Sequence, residues 1–574
     1  MIDILKAQLS LELANGIQLP KEQIYQLLEN PKSIEHGHLA FPVFMLAKEL
    51  KKAPPLIAQE LKAKFDGKIS HVEQITAVGG YLNFTFDLIY LQNLLSHAVA
   101  DSASGKVRLG YQKPKAERVV IDYSSPNVAK PMSIGHLRAT MIGQAVRNLA
   151  ESQGYQVTGL NYLGDWGVQF GKLAYAYSEW EGGKNKNYDF TQKPFEALYQ
   201  LYVDFHKAAE ENPELDAKGS LTFKRLEEGD KEIEKIWKMF LDISLNEYKR
   251  IYGLLNVNFD LIQGESFYND KLESTVELIN KKGLLTESDG AQVVFLDDDM
   301  PPCIIKKSDG ASLYATRDIA SAIHRHDGMK GDHLLYVVGV DQNLHFRQVF
   351  KVLEKMGYDW AKNCHHVAFG MYRFKDIGKM STRKGNVIFM DDVLNKSIEL
   401  AEKIIEEKNP DLSDKKLIAQ QVGVGAIVFN DLSSDRIKNV DFDWDRVLDF
   451  EGDSGPYVQY CAVRCKSILR KFEGRIPVDT EVPLVSSEEK TLVKQLLLYP
   501  EILSISYKNF KPSFLAQYLL EVCKAFGSFY THNKILDDNL DEKTKLARLR
   551  LVQCTETLLT EGLRTLGIQS PQKM

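Results

Sequence analysis

A glycine-histidine pair near residue 135 is the first feature of the sequence that could do chemistry. Gly135 and His136 open a helical pattern that follows a buried strand pattern, Val119-Val120-Ile121, and a loop with two prolines. Ser133 is a suitable N-cap for this helix. At such a strand-to-helix turn, free N–H groups and the positive helix end can bind phosphate. Alone, however, the pair favours a capped crossover helix that carries an incidental histidine.

A second basic motif lies far downstream, in Gly378-Lys379-Met380-Ser381-Thr382-Arg383-Lys384-Gly385-Asn386. Its three cations, with a serine between them and glycines on both sides, suit a loop that closes over a polyphosphate. A solvated basic loop is the alternative interpretation. Because two such motifs in this order are much rarer by chance than either one, together they favour a nucleotide site.

The elements that must position these motifs form a pattern of short apolar strands separated by helices. This pattern covers residues 113–391 and predicts a parallel sheet with helices on both faces. A charged helical stretch at about 174–250 is most simply an insertion. Residues 1–112 mix helical and alternating patterns, which indicates a small α+β domain, and residues 392–574 read as a separate all-helical domain.

Composition sets limits on the class of protein. A chain of 574 residues with 44% hydrophobic and 26% charged residues indicates several globular domains. No apolar run approaches the roughly 20 residues that cross a bilayer, so we expect a soluble, unexported chain. The six cysteines form no C-x-x-C pair, which favours reduced core thiols over zinc. The net charge of −6 gives no overall basic field, so nucleic-acid binding would need local patches.

The two motifs together resemble the signature motifs of class I aminoacyl-tRNA synthetases. Ser125-Pro126-Asn127-Val128-Ala129-Lys130-Pro131, followed by Gly135-His136-Leu137-Arg138, resembles the arginyl-tRNA synthetase family in particular. The resemblance covers nearly the whole chain. It implies an α/β fold with a Rossmann-like catalytic domain (113–391), an N-terminal domain that binds the tRNA D-loop (1–112) and an all-α anticodon-binding domain (392–574). The implied activity is that of a cytoplasmic, monomeric arginine–tRNA ligase that uses ATP, Mg²⁺, L-arginine and tRNA(Arg).

The resemblance also implies roles for the motif residues in arginine activation. His136 would contact the phosphates of ATP, and Mg²⁺ would accompany the nucleotide. The implied catalytic residues are Ser133, His136, Lys379, Arg383 and Lys384, and the implied ATP-binding residues are Ser133, Gly135, His136, His345, Lys379, Met380 and Ser381. Two positions depart from the class pattern: Ser133 replaces the first signature histidine, and Thr382 replaces a lysine. Ser133 can hydrogen-bond phosphate but cannot carry charge.

A site for the guanidinium group of arginine needs planar acceptors, preferably carboxylates, and an aromatic wall. Tyr314 and Asp318 provide both on one helical face, although Asp318 could equally pair with a neighbouring residue. By resemblance, Glu265 is the second carboxylate. Asn127 would bind the backbone end of arginine, and Gln342 would be a further polar contact.

The predicted RNA contacts lie in the flanking domains. The helix around residues 457–471 combines aromatic and cationic side chains, which suits stacking on unpaired bases, although an amphipathic core helix is the alternative. Resemblance to the family's anticodon-binding and D-loop-binding segments favours RNA binding. The implied tRNA-binding residues are Tyr81, Asn83, Tyr457, Gln459, Tyr460 and Arg464.

Two other functions remain open from the sequence. One is another class I synthetase or a nucleotidylyltransferase with the same sheet. The other is a catalytically inactive RNA-binding protein, which only Ser133 favours. The family's habits predict ATP–pyrophosphate exchange with arginine alone, and only when tRNA is present.

Overall fold

The computed structural model describes residues 1–31, 34–180, 188–297, 300–308, 314–373 and 388–574. Five residues with predicted roles, Lys379, Met380, Ser381, Arg383 and Lys384, lie outside these ranges. Among the helices within them, none combines the length and the apolar character that crossing a membrane requires.

The N-terminal part is α+β, as predicted. Within the described residues, an antiparallel sheet of order β1-β3-β2 packs against helices. The middle strand, β3, buries Leu82, Phe84 and Phe86. These residues are spaced by two, so they lie on the same face of the strand. The elements are α1 (Ile2–Ala14), α2 (Lys21–Leu27), a 3₁₀ turn (Ile34–His36), β1 (Leu39–Pro42), α3 (Leu46–Leu50), α4 (Pro54–Phe65), β2 (Val72–Val78), β3 (Tyr81–Phe86) and α5 (Leu88–Ala103).

The central part holds the predicted parallel sheet. Its strands are β4 (Arg118–Asp122), β5 (Gln156–Leu163), β6 (Leu261–Gly264), β10 (His333–Tyr336) and β11 (Cys364–His366). The spatial order is β11-β10-β4-β5-β6, and each of these pairs is parallel. The strands β5 and β6, which follow β4 in the chain, therefore lie on one side of β4, whereas β10 and β11 lie on its other side. In such sheets, ligands bind in the crevice outside the carboxyl ends of the two strands where the order reverses, here β4 and β10.

Helices cover the sheet and form the predicted insertion. The insertion corresponds to α7 to α10, which lie between β5 and β6. A small antiparallel sheet, β7 to β9, lies between β6 and β10. These elements are α6 (Ile134–Ser152), α7 (Val168–Glu179), α8 (Pro194–Glu211), α9 (Glu214–Glu227), α10 (Lys231–Leu254), a 3₁₀ helix (Glu265–Lys271), α11 (Leu272–Lys281), β7 (Leu285–Ser288), β8 (Ala291–Val294), β9 (Cys303–Lys306), α12 (Tyr314–Asp327), α13 (Asn343–Lys355) and the 3₁₀ turns Val340–Gln342 and Asp359–Asn363.

The C-terminal part is helical apart from one short strand. That strand, β13 (Val440–Asp441), pairs with β12 (Tyr372–Arg373). The predicted boundary at residue 392 falls within the first turn of a helix. The helices are α14 (Met390–Lys408), α15 (Lys415–Leu432), α16 (Trp444–Val447), α17 (Gly455–Arg470), α18 (Ser487–Leu497), α19 (Tyr499–Lys508), α20 (Pro512–His532) and α21 (Glu542–Thr565).

Buried polar contacts join the parts. Arg138 on α6 pairs with Asp431 on α15 at 2.8 Å, and both side chains are fully buried. The same guanidinium donates to the backbone carbonyl of Gly370, before β12, and to those of Arg436 and Lys438, before β13. The N-terminal helix α5 contacts the helical part instead, because Arg550 on α21 donates to the carbonyl of Ser96. All six cysteines are free and buried, as expected of core thiols.

Candidate active site and candidate RNA interface

Ser133 and His136 are hydrogen-bonded to each other at the first turn of α6. The backbone N–H of Ser133 donates to Nδ1 of His136 at 3.0 Å, and the Ser133 hydroxyl lies 3.0 Å from the same nitrogen. Burial lowers the pKa of His136, and Lys130 lowers it further. Because Nδ1 accepts the N–H, the proton of the neutral ring lies on Nε2. The structure thus presents a neutral N–H donor at a helix N-terminus, beside the crevice.

Gly135 leaves the backbone open next to this donor. A Cβ atom at this position would meet only the Ser133 hydroxyl, at 3.5 Å. The packing of the chain therefore does not require a glycine at position 135. A flat ligand that approaches the backbone would require one.

The loop between β4 and α6 is strained. Ser124, Ser125 and Ala129 have φ values of 78°, 36° and 66°, in the left-handed region that non-glycine residues avoid. Such strain persists only where surrounding contacts fix the backbone, and it is concentrated at binding and catalytic sites. The loop carries Asn127, which is exposed and bridges to Gly164 after β5. A Cβ atom on Gly164 would lie 2.2 Å from the Asn127 side-chain oxygen, so this glycine makes room for Asn127.

The two predicted carboxylates, Glu265 and Asp318, lie close enough for their charges to interact. Glu265 follows β6, and Asp318 lies on the second turn of α12. The pKa of Glu265 is raised to about 7, mainly by burial and also by the charges of Asp165 and Asp318, while Arg317 opposes the rise. A buried carboxyl group whose pKa is raised by burial and by neighbouring carboxylates gains stability when a cation binds beside it.

Asp318 and His345, which were predicted to contact different substrates, contact each other. His345 Nε2 lies 2.6 Å from the Asp318 carboxylate, and both side chains are mostly buried. Gln342 lies exposed in the turn before α13. Tyr314, the first residue of α12, is 71% exposed, and the five residues before it lie outside the described ranges. The structure therefore brings Glu265, Asp318 and His345 together, whereas Tyr314 and Gln342 face solvent.

Asp165 and Tyr162 line the same region, and neither was predicted. Asp165 accepts hydrogen bonds from the backbone N–H and the hydroxyl of Ser266 at 2.8 and 2.6 Å, which fixes the segment that carries Glu265. Burial, Asp318 and Glu265 raise the pKa of Tyr162 well above its usual value. Among the described residues, the buried Tyr162 hydroxyl has no hydrogen-bond partner. Their position at and just after the carboxyl end of β5 was the signal in the sequence that could have identified them.

A cavity of about 450 Å³ lies between α14, α17 and α20, and we call it the aromatic cavity. Its lining includes Tyr457, Tyr460 and Arg464 together with the C-terminal Met574. The Arg464 guanidinium lies 4.8 Å from the ring centroid of Tyr460 and donates to its hydroxyl at 2.9 Å. Aromatic faces beside a cation suit the stacking of unpaired bases.

Two of the predicted RNA contacts do not face solvent. Gln459 is fully buried, and its amide donates to the carbonyls of Gln421 and Gln569 at 3.0 and 2.8 Å. It thereby ties the C-terminal segment to α15 and α17. Asn83 is only 5% exposed in the middle strand β3, whereas Tyr81 is partly exposed and its ring lies 5.2 Å from that of Phe44.

Comparison with known proteins identifies the family. Residues 98–444 match the model of the class I (R) tRNA synthetase catalytic domain, residues 3–86 match the arginyl-tRNA synthetase N-terminal domain, and residues 458–574 match the DALR anticodon-binding domain. The chain belongs to the arginyl-tRNA synthetase family. The catalytic-domain match extends to residue 444, past the predicted boundary at 391.

Individual members of the family align over nearly their whole length. The arginine–tRNA ligases of Clostridium kluyveri and Lactobacillus johnsonii are each 46% identical, over 98% of this chain and 98% of theirs. The Thermus thermophilus arginyl-tRNA synthetase structure aligns over 99% of both chains with a TM-score of 0.82 and 26% identity. The Plasmodium falciparum arginyl-tRNA synthetase, at 23% identity, shares the fold with a TM-score of 0.80. A different class I synthetase and a nucleotidylyltransferase are thus excluded as the family of this chain.

Proposed function

We propose that this chain is an arginine–tRNA ligase whose activation site is the crevice between β4 and β10. It activates L-arginine with ATP to arginyl-adenylate and then transfers arginine to the 3′ end of tRNA(Arg). The assignment of the site rests on one observation about its geometry. A neutral N–H donor at a helix N-terminus, on His136, lies on the same sheet edge as a carboxylate pair, Glu265 and Asp318.

In the activation step, the carboxylate of arginine attacks the α-phosphate of ATP, and the bond to pyrophosphate breaks. His136 would donate Nε2–H to a phosphate oxygen, and Gly135 would let the nucleotide approach the backbone. Lys379, Arg383 and Lys384 would supply the positive charge that Ser133 cannot. Catalysis by these residues consists of alignment and charge stabilisation, because the protein forms no bond to either reactant.

Mg²⁺ is proposed to enter with the phosphates of ATP, as it does in other phosphate-transfer enzymes. Among the described residues, no group of three histidine, cysteine or acidic side chains could hold a metal ion. The oxygens of the nucleotide would then supply most of the ligands.

Selection of arginine rests on Glu265 and Asp318 as acceptors for the planar guanidinium, with Asn127 at the backbone end of the substrate. Asp318 already accepts a contact from His345 on one oxygen, which orients the carboxylate and leaves its other oxygen available. A lysine or citrulline substrate would leave a buried acceptor unpaired, which costs roughly 1–3 kcal/mol per lost partner. Tyr314 and Gln342 would contribute only through side chains that are exposed in this structure.

Binding of tRNA is proposed at two surfaces. The aromatic cavity would stack unpaired anticodon bases on Tyr457 and Tyr460, while Arg464 meets the backbone phosphates. Tyr81 and the adjacent exposed Phe44 would contact the D-loop. We also propose that the protein acts as a monomer in the cytoplasm, which a light-scattering mass near 65.1 kDa in solution would support for the oligomeric state.

An ATP–pyrophosphate exchange assay tests this function. The purified chain is incubated with ATP, labelled pyrophosphate and one amino acid, with and without tRNA(Arg). We expect exchange with arginine, none with lysine or citrulline, and exchange only when tRNA is present. Exchange with another amino acid would overturn the specificity. RNA binding without exchange under any condition would favour the inactive RNA-binding alternative.

A further inference from the structure

A row of three hydroxyls runs along one face of α10, in the helical insertion. Ser244, Tyr248 and Tyr252 are spaced by four residues, so they lie above one another on the helix surface. Their exposed fractions are 0%, 1% and 5%. A buried row of hydroxyls in an otherwise charged helix requires polar partners, since unpaired buried hydroxyls are costly.

Each of the three hydroxyls has at least one hydrogen-bond partner on the strained loop of residues 124–130. The backbone N–H of Ala129 donates to the Ser244 hydroxyl at 3.0 Å. The Tyr248 hydroxyl lies 2.6 Å from the carbonyl oxygen of Asn127 and 2.9 Å from that of Lys130. The insertion therefore contacts the loop through the backbone of Asn127, Ala129 and Lys130.

The third member of the row connects to the phosphate side of the site. The Tyr252 hydroxyl lies 2.9 Å from the Ser124 hydroxyl, which lies 2.7 Å from the Thr140 hydroxyl. Thr140 in turn donates to the carbonyl of His136 at 2.7 Å. A continuous path of hydrogen bonds thus runs from the insertion to the first turn of α6.

These contacts explain how the loop keeps its conformation. Ser124 and Ala129 both have positive φ values, and both are hydrogen-bonded directly to the row. Without those bonds, relaxation of either residue would turn the intervening Asn127 away from Gly164.

We propose that Ser244, Tyr248 and Tyr252 are positioning residues for arginine activation, so that the insertion completes the active site. This inference rests on the proposed function of Asn127 and His136. The row itself touches no substrate. It acts by holding Asn127 and the start of α6 in a fixed relation to each other.

The test compares Tyr248→Phe with a matched variant, Tyr518→Phe. Tyr518, on α20, is also buried, and its hydroxyl donates to a backbone carbonyl, that of Gln495 on α18, at 2.7 Å. We expect the two variants to lose similar thermal stability. Only Tyr248→Phe should lower kcat for arginine-dependent exchange, by about 10-fold or more, and raise KM for arginine. KM for tRNA should stay unchanged.

A double-mutant cycle separates positioning from a general loss of stability. If Tyr248 acts by presenting Asn127, the Tyr248→Phe/Asn127→Ala double variant should lose less activity than the product of the two single losses. Tyr252→Phe provides an independent second probe, and its exchange kcat should fall without a change in KM for tRNA. Wild-type exchange by Tyr248→Phe and Tyr252→Phe, with reduced exchange by Asn127→Ala, would overturn this inference alone. Wild-type exchange by Asn127→Ala and His136→Ala would overturn the proposed site itself.

Discussion

The activation crevice and the aromatic cavity are built in opposite ways. In the crevice, buried hydrogen bonds hold the strained backbone of Ser124 and Ala129 in one conformation. In the aromatic cavity, side chains on regular helices meet around open space, with Tyr460 38% exposed. The crevice therefore suits chemistry that tolerates little displacement, whereas the cavity suits the stacking of bases on exposed rings. Substitutions should affect different steps in the two regions.

The largest expected effect is that of His136→Ala. Loss of a donor to the developing charge should reduce kcat for exchange by about 10²–10³-fold. The dissociation constant for tRNA should not change, because the aromatic cavity lies in another part of the molecule. Exchange kinetics and filter binding on the same preparation measure both quantities. His97→Ala, an exposed histidine on α5 that pairs with Asp479, is the control and should keep full activity. Similar losses in tRNA affinity and exchange would contradict the separation of the two regions.

Glu265 gives the crevice a pH dependence in the neutral range. With its pKa raised to about 7, Glu265 is largely neutral at pH 6 and ionised at pH 8, whereas arginine stays cationic throughout. The value of kcat/KM for arginine should therefore rise with pH and level off above 7. Glu265→Gln should lower kcat/KM by about 10-fold or more at pH 8 and remove this inflection. A wild-type profile that falls between pH 6 and 8, or an inflection near 7 that survives in Glu265→Gln, would show that another group is responsible.

In the aromatic cavity, two adjacent residues should behave differently. Tyr460→Ala should weaken tRNA binding by roughly 1–3 kcal/mol, the value of one base stacked on an aromatic ring, with little loss of stability. Gln459→Ala should instead destabilise the protein by about 1–2 kcal/mol, because two partly buried carbonyls lose their donor and a fully buried side chain is removed. Thermal melts and tRNA titrations distinguish the two. If Gln459→Ala keeps the wild-type melting temperature and weakens tRNA binding as much as Tyr460→Ala, the distinction between the two residues is wrong.

The smallest effect is expected in the N-terminal sheet. Tyr81→Ala should raise KM for tRNA by a factor of about 3–10, since one ring at the edge of a large RNA interface is removed. Saturating tRNA should restore full aminoacylation. Thr85→Ala, in the same strand, is the control. An unchanged KM for tRNA in Tyr81→Ala would remove this surface from the RNA interface.

Local signals explain which parts were predictable from sequence. The buried strand before residue 123 and the helix that begins after Ser133 follow from apolar periodicity and capping, so the parallel sheet and the position of His136 were predicted correctly. Asn83 and Gln459 show the limit. The sequence does not show that β3 is the middle strand of its sheet and buries Asn83. Nor does it show that Gln459, one residue from Tyr460, points towards the C-terminal segment.

The positioning row was missed for a related reason. Ser244, Tyr248 and Tyr252 lie more than 100 residues from the loop that they contact. Their spacing of four residues in a charged helix is visible in the sequence, but nothing local indicates the partner. Long-range polar contacts of this kind come from the tertiary fold, which periodicity does not encode.

The most direct test of the central claim is a crystal structure of the protein with tRNA(Arg) and a non-hydrolysable analogue of arginyl-adenylate. We predict that the phosphate-equivalent group lies within hydrogen-bond distance of His136 Nε2, and that the guanidinium lies between Glu265 and Asp318. An analogue bound with its guanidinium away from both carboxylates, or with its adenosine outside the crevice between β4 and β10, would contradict the account.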